Sequence, residues 1–339
     1  MSASPAQIVA DPEWLAHRYD EAHDAFQYRY VPRARHAEVP FATDDCLGKE
    51  PNPSVIGRHQ AAALLGEQAP VHFIFHSAFC ASTMLVRALD LPGSAMGISE
   101  PVTLNDMTGW RKRGADIRLH AAVMNDVLGQ LSRPWGPGEA VVIKPSNVFN
   151  GLAMGALHLR PAAKAVLLYA PIEEFLLSVA RKGMWCRLWA RELLEGLLLE
   201  GMVDLGFEPR DYLRQTDLQT AAVGWLAQHN LFHRIAERYG AERIATLDSE
   251  TLTRDPASAV AAVARHFGLA EQDPTTYAAH SAISRDSKSG AAFGRGQRQL
   301  DQARAREVYG DEIDKVSEWI RIVGERRGIS LELPLPLSP

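Results

Sequence analysis

The chain has 339 residues, of which 46% are hydrophobic, and a formal net charge of −5. This length suits one large α/β domain or two smaller ones, and the acidic balance argues against a nucleic-acid-binding surface. No apolar run approaches the roughly 18 residues of a membrane span, and the first residues lack the pattern of a signal peptide. The three cysteines form no CxxC pair and no disulfide framework, which suits a reducing cytoplasm.

The N-terminal region is rich in aromatic, histidine and charged residues. We predict that residues 1–66 form an arm packed on the core, with two short helices within residues 1–50 and a helix at 55–65. An alternative interpretation makes this arm a cover over a ligand cleft, with its aromatic and histidine side chains touching the substrate.

The core is predicted at residues 67–330, followed by a Pro-rich, extended tail at 331–339. Short apolar strands are predicted at residues 71–75, 95–99, 140–144, 165–169 and 243–247. Helices are predicted at 117–131, 171–182, 185–202, 218–239, 256–267 and 308–326, and a basic, Gly-rich loop at 284–299. Strands that alternate with helices indicate a three-layer α/β fold, with a parallel sheet covered by helices on both faces.

The first strand of the core is followed by a tight loop and a helix start, which is the layout of a phosphate-binding P-loop. The residues of this loop are His76, Ser77, Ala78, Phe79, Cys80, Ala81, Ser82 and Thr83. A Walker A loop reads G-x-x-x-x-G-K-[ST], and here both glycines and the lysine are missing. The loop alone therefore does not identify a ligand, and motifs elsewhere in the chain are needed to assign one.

Three polar residues lie at predicted strand ends, where parallel sheets bind their ligands. They are His76, Glu100 and Lys144. A lysine that ends a buried strand needs a partner, whereas His76 could be an ordinary hydrogen-bonded loop histidine and Glu100 a helix cap. Cys80 is either a small buried residue or a thiol made reactive by the start of the helix. No HExxH motif or spaced Cys/His cluster predicts a metal site.

The order of several motifs resembles the sulfotransferases that use 3′-phosphoadenosine 5′-phosphosulfate (PAPS), a branch of the P-loop nucleotide-binding fold. After the loop and Lys144 come P-x-E-E-F-x-x-S, ending at Ser178, and R-I-x-x-L-D-x-E-x-L-x-x-D-P, followed by a helix ending F-G-L. The resemblance covers roughly residues 70–300 and is strongest at 244–269. It implies that the protein binds PAPS and sulfates a hydroxyl or amine of a small-molecule acceptor, without a metal.

The resemblance also implies roles for individual residues. The loop from His76 to Thr83 would hold the 5′-phosphosulfate, while Ser178 and the loop around Lys288 would hold the 3′-phosphate. Lys144 matches the lysine that ends the strand before the family's catalytic region. Independently of the resemblance, the chemistry of sulfuryl transfer makes Lys144 a candidate to stabilise the bridging oxygen, and the strand-end residues His76 and Glu100 the candidates for the general base.

The sequence departs from the family pattern at three positions. The family's loop lysine or arginine falls on Phe79 or Cys80, its 3′-phosphate arginine on Ala170, and its histidine base on Ser146. Arg181 and Lys182, which follow Ser178 on the same helix face, could replace the arginine. The alternatives are a P-loop kinase or other nucleotide phosphotransferase, and a non-catalytic nucleotide-binding homologue. The acceptor and the oligomeric state stay open.

Overall fold

The computed structural model describes residues 3–270, 272–284 and 295–338. Its strands fall into a three-stranded antiparallel sheet of order β1-β2-β3 and a five-stranded parallel sheet of order β5-β6-β4-β7-β8. The strands are β1 (Trp14–Asp20), β2 (Ala25–Tyr30), β3 (Ser54–Gly57), β4 (Val71–His76), β5 (Ala95–Ser99), β6 (Ala140–Lys144), β7 (Ala165–Tyr169) and β8 (Ile244–Asp248).

Helices cover both faces of the parallel sheet, as the sequence predicts. They are α1 (Pro5–Ala10), α2 (Arg33–Glu38), α3 (Asp44–Leu47), α4 (Arg58–Leu64), α5 (Ser82–Ala88), α6 (Val102–Lys112), α7 (Ile117–Leu131), α8 (Ala153–Leu159), α9 (Ile172–Arg181), α10 (Met184–Leu199), α11 (Pro209–Arg214), α12 (Asp217–Arg243), α13 (Ser249–Arg254), α14 (Pro256–Phe267), α15 (Pro274–Ala279), α16 (Ser281–Ser284) and α17 (Arg295–Arg327). A 3₁₀ helix (Asn147–Leu152) follows β6. Within the described ranges, no helix combines the length and apolar character needed to cross a bilayer.

The parallel sheet separates two apolar cores, because successive side chains of a strand point to opposite faces. In β4, Ile74 packs into one core while Phe73 and Phe75 pack into the other. Burial on both faces explains why these strands read as continuous apolar runs in the sequence. The predicted fold class is therefore confirmed.

The strand order fixes where a ligand can bind. The first strand of this sheet, β4, lies between β6 and β7. The chain leaves β4 toward β5 and β6 on one side, and later builds β7 and β8 on the other. The carboxyl end of β4 is therefore a topological switch point, which is where open α/β sheets bind ligands. Residues 76–81 leave the sheet at this point.

The N-terminal region differs from the prediction, since it forms the antiparallel sheet rather than helices alone. Strands β1 and β2 make a hairpin, and β3 pairs with β2. The helix predicted at 55–65 begins only at Arg58, because the residues before it form β3. The side chains of this sheet, including Phe26 and Tyr28, pack in the same core as Phe73.

The C-terminal region differs in one further respect. The final helix, α17, begins at Arg295 rather than near residue 308, so residues 295–299 are helical and not part of a loop. Ser284, predicted as the first residue of the basic loop, is instead the last residue of α16, and residues 285–294, including Lys288, lie outside the described residues. The predicted cap residues of α14 are confirmed: Asp255 accepts from the N–H of Ser258, and Gly268 has a left-handed conformation.

Two irregular segments, one before the parallel sheet in sequence and one near the C-terminus, bond to its outer strands. Beside β5, the N–H of Ala42 donates to the carbonyl of Ser99 at 2.7 Å. Beside β8, Thr246 donates to the carbonyl of Leu335 at 2.9 Å and accepts from the N–H of Leu337 at 2.8 Å. His229 on α12 holds the same C-terminal segment by a 2.8 Å hydrogen bond from Nε2 to the carbonyl of Leu331.

The close packing of α5 on β5 requires a glycine. A Cβ atom at Gly97 would lie 2.4 Å from the backbone oxygen of Val86. We therefore expect Gly97→Ala to lower the free energy of unfolding by about 2 kcal/mol or more. Chemical denaturation can measure this, with Gly155→Ala in α8 as the control. That position has no atom within 4 Å of the new Cβ, so alanine there should stabilise the helix by about 0.8 kcal/mol. Equal effects of the two variants would contradict the prediction.

Candidate active site

Three neighbouring strands bring His76, Glu100 and Lys144 together at one edge of the parallel sheet. His76 ends β4, Lys144 ends β6 and Glu100 follows β5. Nε2 of His76 lies 3.9 Å from Oε1 of Glu100, and Nζ of Lys144 contacts the same oxygen. The sequence predicts these residues as a group, and the strand order β5-β6-β4 is the physical reason for their proximity.

Lys144 is a fully buried cation in the apolar edge of the sheet. Its side chain is 0% exposed, and that of Glu100 is 17% exposed. Burial of a charge is costly unless the charge is paired, and Glu100 supplies the pairing carboxylate. The ring of Phe41 covers the ammonium, with Nζ 5.1 Å from the ring centroid. Phe41 belongs to the N-terminal region, so this region does reach the candidate site.

The backbone holds Glu100 in an unfavourable conformation. Its φ is +48°, and its N–H donates to the carbonyl of Lys144 at 2.7 Å. A positive φ strains any residue other than glycine. Such strain is typical of functional sites, where the surroundings impose it. The geometry therefore favours a functional role for Glu100 over a simple helix cap.

His76 has a defined tautomer. Nδ1 accepts a hydrogen bond from the N–H of Ala78 at 3.1 Å, so Nδ1 carries no proton. Nε2 then carries the proton and donates it to the carbonyl of Pro145 at 3.1 Å. Because both ring nitrogens are engaged within the protein, His76 is poorly placed to take a proton from an acceptor. Between the two predicted bases, the geometry favours Glu100.

The loop after β4 adopts a strained, left-handed backbone without any glycine. Ala78, Phe79 and Ala81 have φ values of +73°, +54° and +62°. In the described residues, six non-glycine residues have positive φ, and four of them are these three and Glu100. No side chain caps the start of α5. The conformation that glycines give to a Walker loop is thus reached here by alanine and phenylalanine.

Several side chains of this loop bond to or pack against other parts of the protein. Mainly the backbone of the loop is therefore left to contact a ligand. The hydroxyl of Ser77 accepts a hydrogen bond from the N–H of Ala170 at 3.1 Å. Cys80 is fully buried in one of the two apolar cores. The ring of Phe79 packs against Phe175 and Trp189, at 5.7 and 5.4 Å between centroids. Ser82 and Thr83 open α5 and are also largely buried.

Cys80 is buried, which favours the interpretation of a small buried residue over that of a reactive thiol. Burial raises its pKa to about 11, whereas reactive cysteines have a lowered pKa. We expect iodoacetamide at about pH 8 to label half-buried Cys46 in the native protein and to spare Cys80 and Cys186, which are buried. Peptide mass spectrometry before and after denaturation can measure this. Rapid native labelling of Cys80 would contradict the prediction.

A group of buried amides lies beneath the start of the loop. Nδ2 of Asn150 donates to the carbonyl of His76 at 3.0 Å and to Oε1 of Gln228 at 2.9 Å. Asn147 donates to the same oxygen of Gln228 at 3.5 Å. This network ties the 3₁₀ helix and α12 to the end of β4, and thereby fixes the position of His76. Sequence reasoning missed it, although Gln228 is recognisable as a polar residue within an apolar helix.

The structure describes some, but not all, of the residues predicted to hold the 3′-phosphate. Ser178 is half-buried on α9, and Arg181 is exposed at the end of that helix. Lys182 places its Nζ 5.5 Å from the ring centroid of Phe79, so a cation does lie beside the loop. Ala170, at the position of the family's arginine, is fully buried. Lys288 lies outside the described residues. The described part of the chain contains no group of three or more metal-ligating residues.

Comparison with solved structures finds similarity to sulfotransferases. The sulfotransferase domain from the curacin biosynthetic pathway aligns with a TM-score of 0.45 and 13% identity, covering 79% of this chain and 100% of that domain. The sulfotransferase domain from the olefin synthase of Synechococcus PCC 7002 aligns at 0.41 and 12%, covering 72% and 96%. A sulfotransferase from Mycobacterium tuberculosis H37Rv aligns at 0.40 and 14%, covering 74% and 78%. No protein-family model and no curated protein matches the sequence.

Proposed function

We propose that this protein is a sulfotransferase that binds PAPS and transfers its sulfuryl group to a hydroxyl or amine of a small acceptor. One observation carries the proposal: a buried lysine, a strained glutamate and a histidine meet at the switch point of a parallel sheet, beside a P-loop-like turn. The motif order described above supplies the choice of donor.

The residues fit a phosphosulfate donor. The loop backbone is bent into left-handed conformations at three residues, and successive backbone N–H groups in such turns form anion-binding concavities. Ser82 and Thr83 at the start of α5 would contact the 5′-phosphosulfate, while Ser178 and Arg181 on α9, together with Lys288, would contact the 3′-phosphate. PAPS would supply an activated sulfuryl group.

In the proposed reaction, side chains of this protein would accept the proton and stabilise the leaving group. Glu100 would take the acceptor proton. Its Oε1 contacts Lys144, and we assign the proton to Oε2. Lys144 would stabilise negative charge on the bridging oxygen, an effect that is strong in a buried site. His76, held by Ala78 and Pro145, would position the loop and Glu100.

Nucleotide binding tests the proposal directly. Isothermal titration calorimetry should detect binding of 3′-phosphoadenosine 5′-phosphate (PAP) without magnesium, and weaker binding of 5′-AMP, which lacks the 3′-phosphate. The difference between the two nucleotides measures the 3′-phosphate site. Tight, magnesium-dependent binding of ATP without a response to PAP would favour a kinase and contradict the proposal.

A pair of variants can locate the 3′-phosphate. Ser178→Ala should weaken PAP binding roughly tenfold, because a hydrogen bond to a charged group is lost, and should leave 5′-AMP binding unchanged. Ser258→Ala on α14 is a control, since its hydroxyl donates a hydrogen bond to the carboxylate of Asp255, the N-cap residue of that helix. If both nucleotides respond equally to Ser178→Ala, the assignment of this serine is wrong.

A further inference from the structure

A cavity of about 190 Å³ lies between α6, α10 and the 3₁₀ helix. Its apolar walls are Val148, Trp189, Leu193 and Leu197. A cavity of 150 Å³ accommodates benzene, so this one has room for a single substituted ring. Trp189 offers an aromatic wall for such a ring.

Two residues of the cavity lining neighbour segments of the candidate active site. The ring of Trp189 contacts that of Phe79 in the loop, edge to face, with 5.4 Å between centroids. Val148 lies in the 3₁₀ helix that follows Pro145, whose carbonyl accepts the hydrogen bond from His76. A molecule in the cavity would therefore lie next to the loop and next to the segment that holds His76.

An ion pair forms the polar wall of the cavity, and two glycines make room for it. Nζ of Lys112 lies 3.0 Å from Oε1 of Glu200, whose side chain is 7% exposed. A Cβ atom at Gly151 would lie 1.9 Å from Oε2 of Glu200, and one at Gly196 would lie 2.7 Å from Nζ of Lys112. The close approach of both side chains to the glycine backbone holds the pair at the cavity surface.

The charges of the lining are unbalanced. Glu192 and Glu200 contribute two carboxylates, and Lys112 contributes one ammonium. Lys112 is already paired with Glu200, whereas Glu192 is exposed at the rim. A bound molecule would therefore meet a net negative charge. A cationic substituent gains from this field, and an anionic one is repelled.

We propose that this cavity is the acceptor site, and that it selects a compact acceptor with an apolar ring and an ammonium substituent. This inference rests on the proposed sulfotransferase function. The ring would lie against Trp189 and the leucines of α10, and the ammonium would lie beside Glu192. The hydroxyl to be sulfated would then lie toward the loop after β4, whose Phe79 contacts Trp189.

Three para-substituted phenols of similar size and different charge test the inference: tyramine (cationic), 4-ethylphenol (neutral) and 4-hydroxyphenylacetate (anionic). We expect NMR titration of the full chain with PAP present to show tyramine binding roughly fivefold more tightly than 4-ethylphenol. The anion should bind most weakly. Equal affinities, the reverse order, or no binding of any probe would overturn the inference.

Matched variants separate the cavity from the general charge of the protein. Glu192→Gln should remove the preference for tyramine, whereas Glu195→Gln, on the same helix but outside the cavity lining, should keep it. Gly196→Ala should displace Lys112 and weaken all three probes. Equal losses in the two glutamate variants would contradict the assignment.

The two proposals can fail separately, because PAP binding is measured on the same samples. If PAP binds and tyramine shows no preference, the cavity assignment is wrong and the sulfotransferase proposal stands. If tyramine is preferred but PAP does not bind, the donor is wrong and the cavity is not a sulfuryl acceptor site.

Discussion

Exchanging Lys144 for methionine should abolish most of the proposed sulfuryl transfer and should also destabilise the protein. Changing Glu100 to glutamine in the same variant should restore the stability but not the activity. Each single variant, Lys144→Met or Glu100→Gln, leaves one member of the pair buried without its charged partner. Breaking such a pair costs about 3 kcal/mol of unfolding free energy. The double variant removes both charges and should recover most of that loss.

Activity should follow a different pattern from stability. In the proposed mechanism Glu100 takes the proton and Lys144 stabilises the leaving oxygen, so each single variant and the double variant should lose at least about 100-fold in kcat. Denaturation and steady-state kinetics on the three variants can measure both effects. Recovery of turnover in the double variant would show that the pair is purely structural.

A control for this experiment is an ion pair elsewhere. Arg58 on α4 pairs with Asp24 and Asp126 at distances of 2.6 and 2.8 Å. Arg58→Met should lower stability, because it leaves two carboxylates without their partner, and should leave kcat unchanged. A large loss of kcat in this variant would mean that destabilisation alone explains the effect at Lys144.

The second large effect is expected at Ala81, the last loop residue before α5. Its φ and ψ are +62° and +24°. Valine at this position should weaken PAP binding more than about tenfold, because a β-branched residue strongly disfavours the left-handed region and the loop must deform. Calorimetry with PAP can measure the change.

Glycine at the same position is the matched control. Ala81→Gly suits the observed backbone better than alanine does, so it should bind PAP within about threefold of the native protein. If valine and glycine at position 81 both leave PAP binding unchanged, the loop backbone is not the phosphate-binding element. If both abolish binding, the methyl group of Ala81 matters more than its backbone conformation.

The parallel sheet could be predicted closely from the sequence because its strands are buried on both faces. The runs at 95–99, 140–144 and 165–169 match β5, β6 and β7 at both ends. The antiparallel sheet was missed because its pattern is weaker. A bulge between Ala16 and Arg18 interrupts β1, and its burial does not alternate strictly. Pairing with β3, which is distant in sequence, completes that sheet.

Only those residues of the candidate site that lie at the ends of strands could be predicted from the sequence. His76, Glu100 and Lys144 each close an apolar run, and the rule for parallel sheets places them together. Phe41 and Asn150 could not be predicted in this way, because neither residue closes an apolar strand. Each reaches the site from a different segment of the chain, and no local sequence pattern links that segment to the site. The tautomer of His76 depends on its hydrogen bonds with Ala78 and Pro145, so it could not be predicted from the sequence.

The bonding of two irregular segments to the outer strands also bears on whether molecules of this protein associate with one another. An open parallel sheet has two edges with unpaired N–H and C=O groups, and such edges are templates for association with other chains. Here Ala42 bonds to Ser99, the last residue of β5, and residues 335–337 pair with Thr246 in the middle of β8. Removal of residues 335–337 would leave the backbone groups of Thr246 unpaired at the edge of β8, so this segment also opposes association of two molecules through that edge.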